Sequence, residues 1–330
     1  MRVGIPRALL YWYYIPLWET FFKELGVEVI TTPPTTKEII NKGIKHSVPE
    51  ICLPIKIYMG HVFELIDQGV DCLFIPRMIS IKKKTTFCPK FLGMPDMVRY
   101  AIDDEACHIL APHVSAPTDN IAQLTNFIEI GSFFNKDKKT TARALKQAEK
   151  VWLKFRDLNM QGCTCTEALN ILKGKSQLPV KKERAVNIGL MGYVYNIYDN
   201  FISMDVLTKL KNMDVNVVTF EMLKPQVLKA PIKKLNKELF WDFSNKTFAA
   251  GMHFLDNPNI DGIIHITAFN CGPDSLLGKL MEIKSETCKK PFMTIRVDEH
   301  TGESHMNTRL EAFIDMLRRR DFIETVEVTP

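Results

Sequence analysis

The chain has 330 residues, which is long enough to bury a large core and to form two domains. Its composition of 46% hydrophobic and 25% charged residues is typical of a globular protein, and no apolar run approaches the roughly 18 residues of a membrane-spanning helix. The formal charge of +5 is small and the lysines are dispersed, so the sequence favours solvated surfaces over nucleic-acid binding.

The N-terminal segment predicts a β-α-β unit. Strand Arg2–Ile5 leads through an aromatic turn to a helix over residues 17–25, which Gly26 ends, and then to a strand over residues 27–30. Such a unit implies a parallel sheet. The segment is basic and then apolar, like a signal peptide, but Pro6 interrupts it and no small-residue cleavage site follows. We therefore expect a cytoplasmic protein.

The remainder of a first α/β domain, residues 1–117, is predicted from helices and strands that alternate along the chain. Thr36 is expected to cap a helix that ends near residue 46. Cys52 precedes the next helix, and Cys88 lies near the end of a long loop. The elements expected after Cys52 are a helix over 55–67, a buried strand over 71–75, a loop over 76–90, a helix over 94–101 and a strand over 107–110.

Residues 118–180 predict a mostly helical connector, and residues 181–330 predict a second α/β domain that repeats the order of the first. The connector helices are expected over 120–134 and 138–158, with a domain boundary near 177–183. The second domain is expected to contain strands over 186–190, 215–219, 261–266 and 292–297, an aromatic turn over 193–199, and helices over 203–213 and 303–320. In both halves a buried strand leads to a cysteine, which is Cys88 in the first and Cys271 in the second.

Three cysteines are candidate ligands of an iron–sulfur cluster held between the two domains. Open α/β sheets bind ligands beyond the carboxyl ends of their strands, so two facing domains would bring Cys88 and Cys271 into one cleft. Cys52 lies in a similar loop, and each of the three stands beside a proline or a glycine that fixes the local backbone. Thiolates on ordered, partly desolvated loops are what a cluster needs. The alternative is that all three are small buried apolar residues.

The other cysteines are weaker candidates. A cytoplasmic chain with eight cysteines should keep them mostly as thiols, and their spacings match no zinc finger. Cys72, Cys107 and Cys288 are expected to belong to the core. Cys163 and Cys165 form a close pair that could bind metal or form a redox disulfide, but their helical surroundings argue against a place in the cleft.

Polar residues near these cysteines have two interpretations. Lys56 and Lys90 follow candidate ligands and could offset the charge of thiolates, or they could be ordinary surface lysines. Asn270 and Gly272 flank Cys271 and are expected to surround the same cluster. The remaining candidates, which could bind a substrate or a partner or could form surface ion pairs, are Glu299, His300 and Arg309. The chain contains no GxSxG, Walker A or GxGxxG sequence, which disfavours serine hydrolysis, nucleotide hydrolysis and dinucleotide binding.

Taken together, several motifs resemble an uncharacterised family related to 2-hydroxyacyl-CoA dehydratases and their activators. The resemblance covers nearly the whole chain in matching order. The motifs are GIPRALLYWYYIPLWETFFKELG, EICLPIKIYMGHV, CPKFLGMPDMVR, GLMGYVYNIYD, FNCGPDS and VDEHTGESHMNTRLEAF. The resemblance implies two Rossmann-like, parallel-sheet domains that face each other across a cleft and hold a cysteine-bound cluster. By family correspondence the ligands are Cys52, Cys88 and Cys271.

The resemblance also implies a function. Related dehydratases receive low-potential electrons from a separate ATP-hydrolysing iron–sulfur activase and act on a small substrate. Three cysteines on a four-iron (4Fe-4S) cluster would leave one iron open to Lewis-acid or electron-donor chemistry; a larger or double-cubane cluster shared by a homodimer is the other arrangement. The alternatives to such a reductase or dehydratase are a cluster carrier without its own substrate and a metal-free α/β protein that binds a small ligand. The substrate is not indicated by any residue.

Overall fold

A computed structural model describes residues 1–102, 107–179, 186–233 and 238–327. Those ranges contain ten strands and thirteen α-helices. The strands are β1 Arg2–Ile5, β2 Glu28–Thr31, β3 Cys72–Phe74, β4 Arg77–Ser80, β5 His108–Leu110, β6 His113–Ser115, β7 Val186–Met191, β8 Val215–Val218, β9 Gly262–Ala268 and β10 Phe292–Val297. The helices are α1 Tyr11–Glu24, α2 Lys37–Lys45, α3 Leu53–Asp67, α4 Pro89–Ala101, α5 Leu124–Phe133, α6 Lys138–Met160, α7 Cys165–Leu172, α8 Val194–Tyr198, α9 Val206–Asn212, α10 Pro225–Lys233, α11 Asp242–Asp256, α12 Gly272–Cys288 and α13 Glu303–Glu327.

Two parallel sheets of four strands dominate the fold. The first has the order β2-β1-β3-β5, and the second, taken from its other edge, has the order β8-β7-β9-β10. If the four strands of each sheet are numbered in chain order, both sheets have the spatial order 2-1-3-4. Every pairing within both sheets is parallel. The predicted α/β class with Rossmann-like parallel sheets is confirmed, and the shared strand order explains the internal repeat in the sequence.

Most predicted elements are present with shifted ends. Thr36 caps α2 as predicted, because its hydroxyl accepts a hydrogen bond from the N–H of Ile39 at 3.3 Å. Gly26 follows α1 with φ +74°, the left-handed conformation expected of a residue that ends a helix. The helix α1 begins at Tyr11 rather than near residue 17, because the aromatic residues interpreted as a turn form its buried first half.

Three expectations were wrong in part. The predicted loop over residues 76–90 contains β4, which pairs in parallel with β6 to form a small third sheet. The helix α4 begins at Pro89, five residues before its predicted start, because proline suits the first helical position. The helix predicted from residue 203 begins only at Val206, since Met204 and Asp205 have left-handed backbone conformations.

The predicted connector, residues 118–180, contains the helices α5, α6 and α7 and packs on the first half of the chain, which carries the first sheet. The indole N–H of Trp152, on α6, donates to the carbonyl of Tyr13, on α1, at 3.0 Å in the buried core. The domain limits at residues 117 and 180 stay predictions, and the boundary expected near 177–183 extends onto residues 180–183, which lie outside the described residues. In the part of the chain that is described, no helix is both long and apolar enough to cross a membrane.

The two halves are joined by hydrogen bonds around one seam. The N–H of Thr86 donates to the carbonyl of Phe240 at 3.2 Å, and the N–H of Asp242 donates back to Thr86 at 3.0 Å. The carboxylate of Asp242 also accepts from the N–H of Ile81 at 3.1 Å and from the hydroxyl of Thr85. These bonds fix the segment before α4 against the segment before α11.

Helices α2 and α3 cross so closely that only glycine fits at their contact. A Cβ atom on Gly43 would lie 1.8 Å from the carbonyl oxygen of Lys56, and one on Gly60 would lie 2.0 Å from that of Ile39. Backbone atoms cannot move aside as a flexible side chain can. We expect Gly43→Ala and Gly60→Ala each to lower the free energy of unfolding by about 3 kcal/mol, measured by urea denaturation.

Gly93 supplies a matched control for this prediction. It lies in helix α4, and an added Cβ would meet no atom within 4 Å. Because alanine is the better helix former, Gly93→Ala should leave stability unchanged or raise it by about 0.5 kcal/mol. Equal effects at Gly93 and at Gly43 would show that backbone contact is not what constrains the α2–α3 crossing.

Candidate functional site

Cys52, Cys88 and Cys271 line one cavity between the two halves of the chain. We call this space the cysteine cavity. Its wall is completed by aromatic and apolar side chains together with two polar residues of α11. The other lining residues are Leu9, Pro54, Ile55, Phe87, Phe91, Tyr193, Tyr195, Trp241, Asp242, Phe243, Ser244 and Pro273. The structure therefore brings together cysteines that lie as much as 219 positions apart (271 − 52) in the sequence.

Each of the three cysteines occupies the residue just before a helix. Cys52 precedes α3, Cys88 precedes α4 and Cys271 precedes α12, and all three have extended backbone conformations. A proline at the first or second helical position follows each of them, where its missing N–H and fixed φ favour the start of a helix. The loop-and-proline pattern in the sequence therefore marks three helix N-termini that converge on one space.

The helix N-termini favour negative charge on the sulfurs. Backbone N–H groups of the first turn, including that of the residue three positions after each cysteine, act to lower the pKa of the thiol. None makes a full hydrogen bond to the neutral side chain. The partial positive charge at a helix N-terminus acts in the same direction. Three such ends around one cavity create a site that is suited to an electron-rich, thiolate-bound group.

Burial nevertheless keeps the cysteines protonated when nothing is bound. It raises the pKa of Cys52 to about 11 and also raises the pKa values of Cys88 and Cys271 above the ordinary thiol value. For Cys271 the nearby carboxylate of Asp274 adds to the effect, and the thiols also disfavour each other's ionisation. A bound cation would have to displace these protons, as thiolate coordination requires.

The cavity is narrow, with a volume of about 40 Å³, which is room for a few water molecules. A cluster could enter only if the thiols and the neighbouring aromatic rings moved apart. Among the described residues, no group of three or more His, Cys, Asp or Glu side chains is placed to hold a metal ion. In a cluster, by contrast, each thiolate can bind a different iron, so the sulfurs need not converge on one point. The cluster therefore stays a prediction.

The repeat relates Trp241 to one of the three cysteines. In each half, one helix leads into the third strand of the sheet and another leads out towards the fourth. The residues before those helices are Cys52 and Cys88 in the first half, and Trp241 and Cys271 in the second. Trp241 thus occupies the place that a fourth cysteine would take by repeat symmetry, and it lines the cavity. Its indole N–H is buried without a hydrogen-bond partner.

Two tyrosines from the second half close the cavity. Tyr193 and Tyr195 lie around the start of α8, with ring centroids 5.4 Å apart, and the hydroxyl of Tyr193 is 2.7 Å from that of Ser244. Burial, with the nearby thiols adding to it, raises the pKa of both tyrosines well above the ordinary value. They are therefore neutral. In the sequence they belong to the predicted aromatic turn, but nothing in that pattern indicated that they face the cysteines.

Lys56 and Glu299 form an ion pair between the halves. The ammonium of Lys56, in the first turn of α3, lies 2.5 Å from the carboxylate of Glu299, in the loop after β10. The Lys56 side chain is only 6% exposed, so it is not an ordinary surface lysine. The pair fixes the loop after β10 against the helix that starts at Cys52. Glu299 was predicted as a substrate or partner residue, and the structure places it in this contact.

The other polar candidates have separate environments. Lys90 is exposed, and its charge only partly offsets the effect of burial, which raises the pKa values of Cys52 and Cys88. Asn270 is exposed with a left-handed φ of +63°, so the tight turn before Cys271 is made by the asparagine. The space beside the Cα of Gly272 is open. His300 is exposed, and its backbone N–H donates to Asp298 at 2.9 Å.

Arg309 does not line the cysteine cavity. Its guanidinium donates to the carbonyl of Thr294 at 2.8 Å, at the edge strand β10, and it lines a different groove. The three predicted substrate or partner residues therefore do not form one site.

The remaining cysteines lie outside the cysteine cavity. Cys72 is fully buried in β3, and Cys107 is partly buried, as expected of core residues. Cys163 and Cys165 are fully buried as free thiols at the start of α7. The expectation for Cys288 was wrong. It is exposed, because it ends α12 on the solvent side.

Sequence reasoning missed Asp274, which lies in the first turn of α12. It is fully buried, and its carboxylate lies 3.1 Å from Nε2 of His265 and accepts from the amide of Asn196 at 3.2 Å. An acidic residue three positions after a helix-capping residue was the available signal, but it is equally common in surface helices. Its burial next to Cys271 depends on the packing of α12 over β9.

Comparison with known families identifies the group to which the sequence belongs. The model of the CoA enzyme activase uncharacterised domain (DUF2229) matches residues 2–223. The chain belongs to this family. The match confirms the relation to activators of CoA-dependent dehydratases that the motifs indicated. It includes Cys52 and Cys88 and ends before Cys271, so β7 and β8 of the second sheet lie inside the matched range and β9 and β10 lie outside it.

The other comparisons add no functional argument. No curated protein matches the sequence significantly. Among solved structures, one titled "Crystal structure of ZnuA" is 9% identical with a TM-score of 0.28, and the alignment covers 96% of this chain and 98% of that one. A TM-score of this size supports neither a shared fold nor a shared function.

Proposed function

We propose that the chain is an iron–sulfur protein of the 2-hydroxyacyl-CoA dehydratase-related type. In this proposal Cys52, Cys88 and Cys271 hold a 4Fe-4S cluster, and an ATP-hydrolysing iron–sulfur activase supplies low-potential electrons for the reduction or dehydration of a small substrate. The observation that carries it is the convergence of three helix N-termini, each directly preceded by one of these cysteines, on one cavity. Membership of the activase-related family supports the partner.

The residues around the cavity have defined roles under this proposal. A bound cluster would supply low-potential electron transfer and, at an iron without a cysteine ligand, Lewis acidity. The first-turn N–H groups of α3, α4 and α12 would stabilise the three thiolates. Trp241 would keep the fourth position free of a protein ligand. Neutral Tyr193 and Tyr195 would exclude bulk water from the same space.

Anaerobic reconstitution tests the proposal. The full chain, incubated with ferrous iron and sulfide and then desalted, should be brown and contain about four irons and four sulfides per chain. After reduction it should give an electron paramagnetic resonance signal. A colourless, iron-free product would reject the proposal and leave the metal-free ligand-binding alternative.

A second assay separates an enzyme component from a cluster carrier. The three cysteines of the cavity are buried or only partly exposed, which favours a resident cluster over one that is passed on. The reconstituted chain should keep its iron when mixed with an apo-ferredoxin and then separated by gel filtration. Quantitative transfer of the cluster to the apo-ferredoxin would favour the carrier function instead.

A further inference from the structure

A second groove lies at the β10 edge of the second sheet, between β9, β10, α12 and α13. Its volume is about 400 Å³, ten times that of the cysteine cavity. We call it the arginine groove. Its polar lining includes His265 and Thr267 on β9, Lys279 and Glu282 on α12, Arg296 on β10 and Arg309 on α13.

The sheet register builds the floor of this groove. His265 pairs with Thr294 and Thr267 pairs with Arg296 across β9 and β10. Because side chains alternate along a strand, His265 and Thr267 lie on the same face of β9. Most of the strand is apolar, so two polar side chains on one face of a fully buried strand are unusual.

Both of these buried side chains carry an unpartnered polar atom. Nδ1 of His265 and Oγ1 of Thr267 are inaccessible and have no hydrogen-bond partner in the described structure. The other ring nitrogen of His265 faces Asp274 at 3.1 Å, which fixes the orientation of the ring. Buried polar atoms without partners are unfavourable, and an anion whose oxygen accepted a hydrogen bond from the Thr267 hydroxyl would remove that cost at Thr267.

The rim of the groove is positively charged. Arg296 is exposed and has no ion-pair partner among the described residues. Arg309 uses one N–H group on the carbonyl of Thr294, which leaves other donors of its guanidinium available. The single carboxylate, Glu282, is paired with Lys279 at 3.0 Å. The two arginines are therefore not neutralised within the groove.

We propose that the arginine groove binds a small phosphate-bearing anion. Two guanidinium groups match the several acceptor oxygens of a phosphate or diphosphate, and the Thr267 hydroxyl supplies a further donor from the floor. The groove volume of about 400 Å³ is much larger than a single carboxylate group would fill, and this favours a diphosphate over a small carboxylate anion. The arginine groove and the cysteine cavity share no lining residue, so a test of one site does not decide the other.

Isothermal titration of the full chain with sodium pyrophosphate tests the site. We expect saturable binding of one pyrophosphate per chain at low ionic strength. Arg296→Gln and Arg309→Gln should each weaken it about tenfold, since each removes a charge-assisted contact. Arg319→Gln is the matched control: Arg319 is an exposed arginine of the same helix α13 that does not line the groove, and its loss should leave the affinity unchanged.

Thr267→Val separates a ligand-binding role from a structural one. Valine has nearly the same shape but lacks the hydroxyl, so the melting temperature of the free protein should not fall, whereas the affinity for pyrophosphate should drop several-fold. Titrations with adenosine diphosphate and with inorganic phosphate then distinguish a nucleotide-borne phosphate from a free one. The proposal is overturned by any of three results: absence of saturable binding, equal weakening by Arg319→Gln, or binding of acetate as tight as that of pyrophosphate.

Discussion

Replacing any one of Cys52, Cys88 or Cys271 by alanine is expected to reduce the iron retained after anaerobic reconstitution from about four per chain to nearly none. Each of the three precedes a different helix, so no neighbouring cysteine can take the place of a missing one. With two thiolates left, the cluster would have lost half of the ligands that cubane clusters ordinarily have. Iron and sulfide analysis of desalted protein measures this effect.

Cys72→Ala is the control for that experiment. Cys72 is fully buried, but it lies inside β3 and does not line the cysteine cavity. Its loss removes one buried sulfur and should cost about 1 kcal/mol of stability while leaving the iron content intact. Circular dichroism of each variant before reconstitution distinguishes loss of a ligand from loss of the fold. Full iron retention by Cys52→Ala, Cys88→Ala or Cys271→Ala would remove that residue from the ligand set.

The sequence predicts much of the fold because its signals are local. Thr36 at a helix start, Gly26 at a helix end and the buried run of β9 each depend on neighbouring residues, and each is found where expected. The strand β4 was missed for the opposite reason. It is half-exposed, has polar ends and, within the described ranges, pairs with no strand but β6, so nothing in its own sequence distinguishes it from a loop.

The residues of the candidate site also differ in whether a local sequence pattern indicates them. Cys52, Cys88 and Cys271 were chosen as candidates because cysteine beside proline or glycine is a local pattern, and the weak repeat suggested that two of them share a cleft. Trp241 was not found, because its position follows from the equivalence of α11 and α3, which appears only when both sheets are compared. The partnership of Lys56 with Glu299 joins residues 243 positions apart, and no sequence signal links them.

That ion pair should be essential to the stability of the site. Glu299→Gln is expected to lower the free energy of unfolding by about 3 kcal/mol, because it leaves the buried ammonium of Lys56 without a counter-charge. Lys56→Met should cost less, since the Glu299 side chain is 18% exposed and water can partly solvate its charge. Urea denaturation at pH 7 measures both. Glu238→Gln, which breaks a well-exposed ion pair to Lys82 between the same halves, should cost at most about 1 kcal/mol.

The pH dependence of stability gives an independent readout of the same pair. Burial acts to raise the pKa of Glu299, but the hydrogen bond and charge of Lys56 outweigh it, so the pKa lies below the ordinary value. A carboxyl with a lowered pKa in the folded state stabilises the protein above its unfolded pKa and loses that contribution as the pH falls through the folded value. The free energy of unfolding of the parent protein should therefore fall below about pH 4.5 more steeply than that of Glu299→Gln. Parallel pH profiles for the two proteins would show that the carboxylate does not stabilise the contact between the loop after β10 and the helix that begins at Cys52.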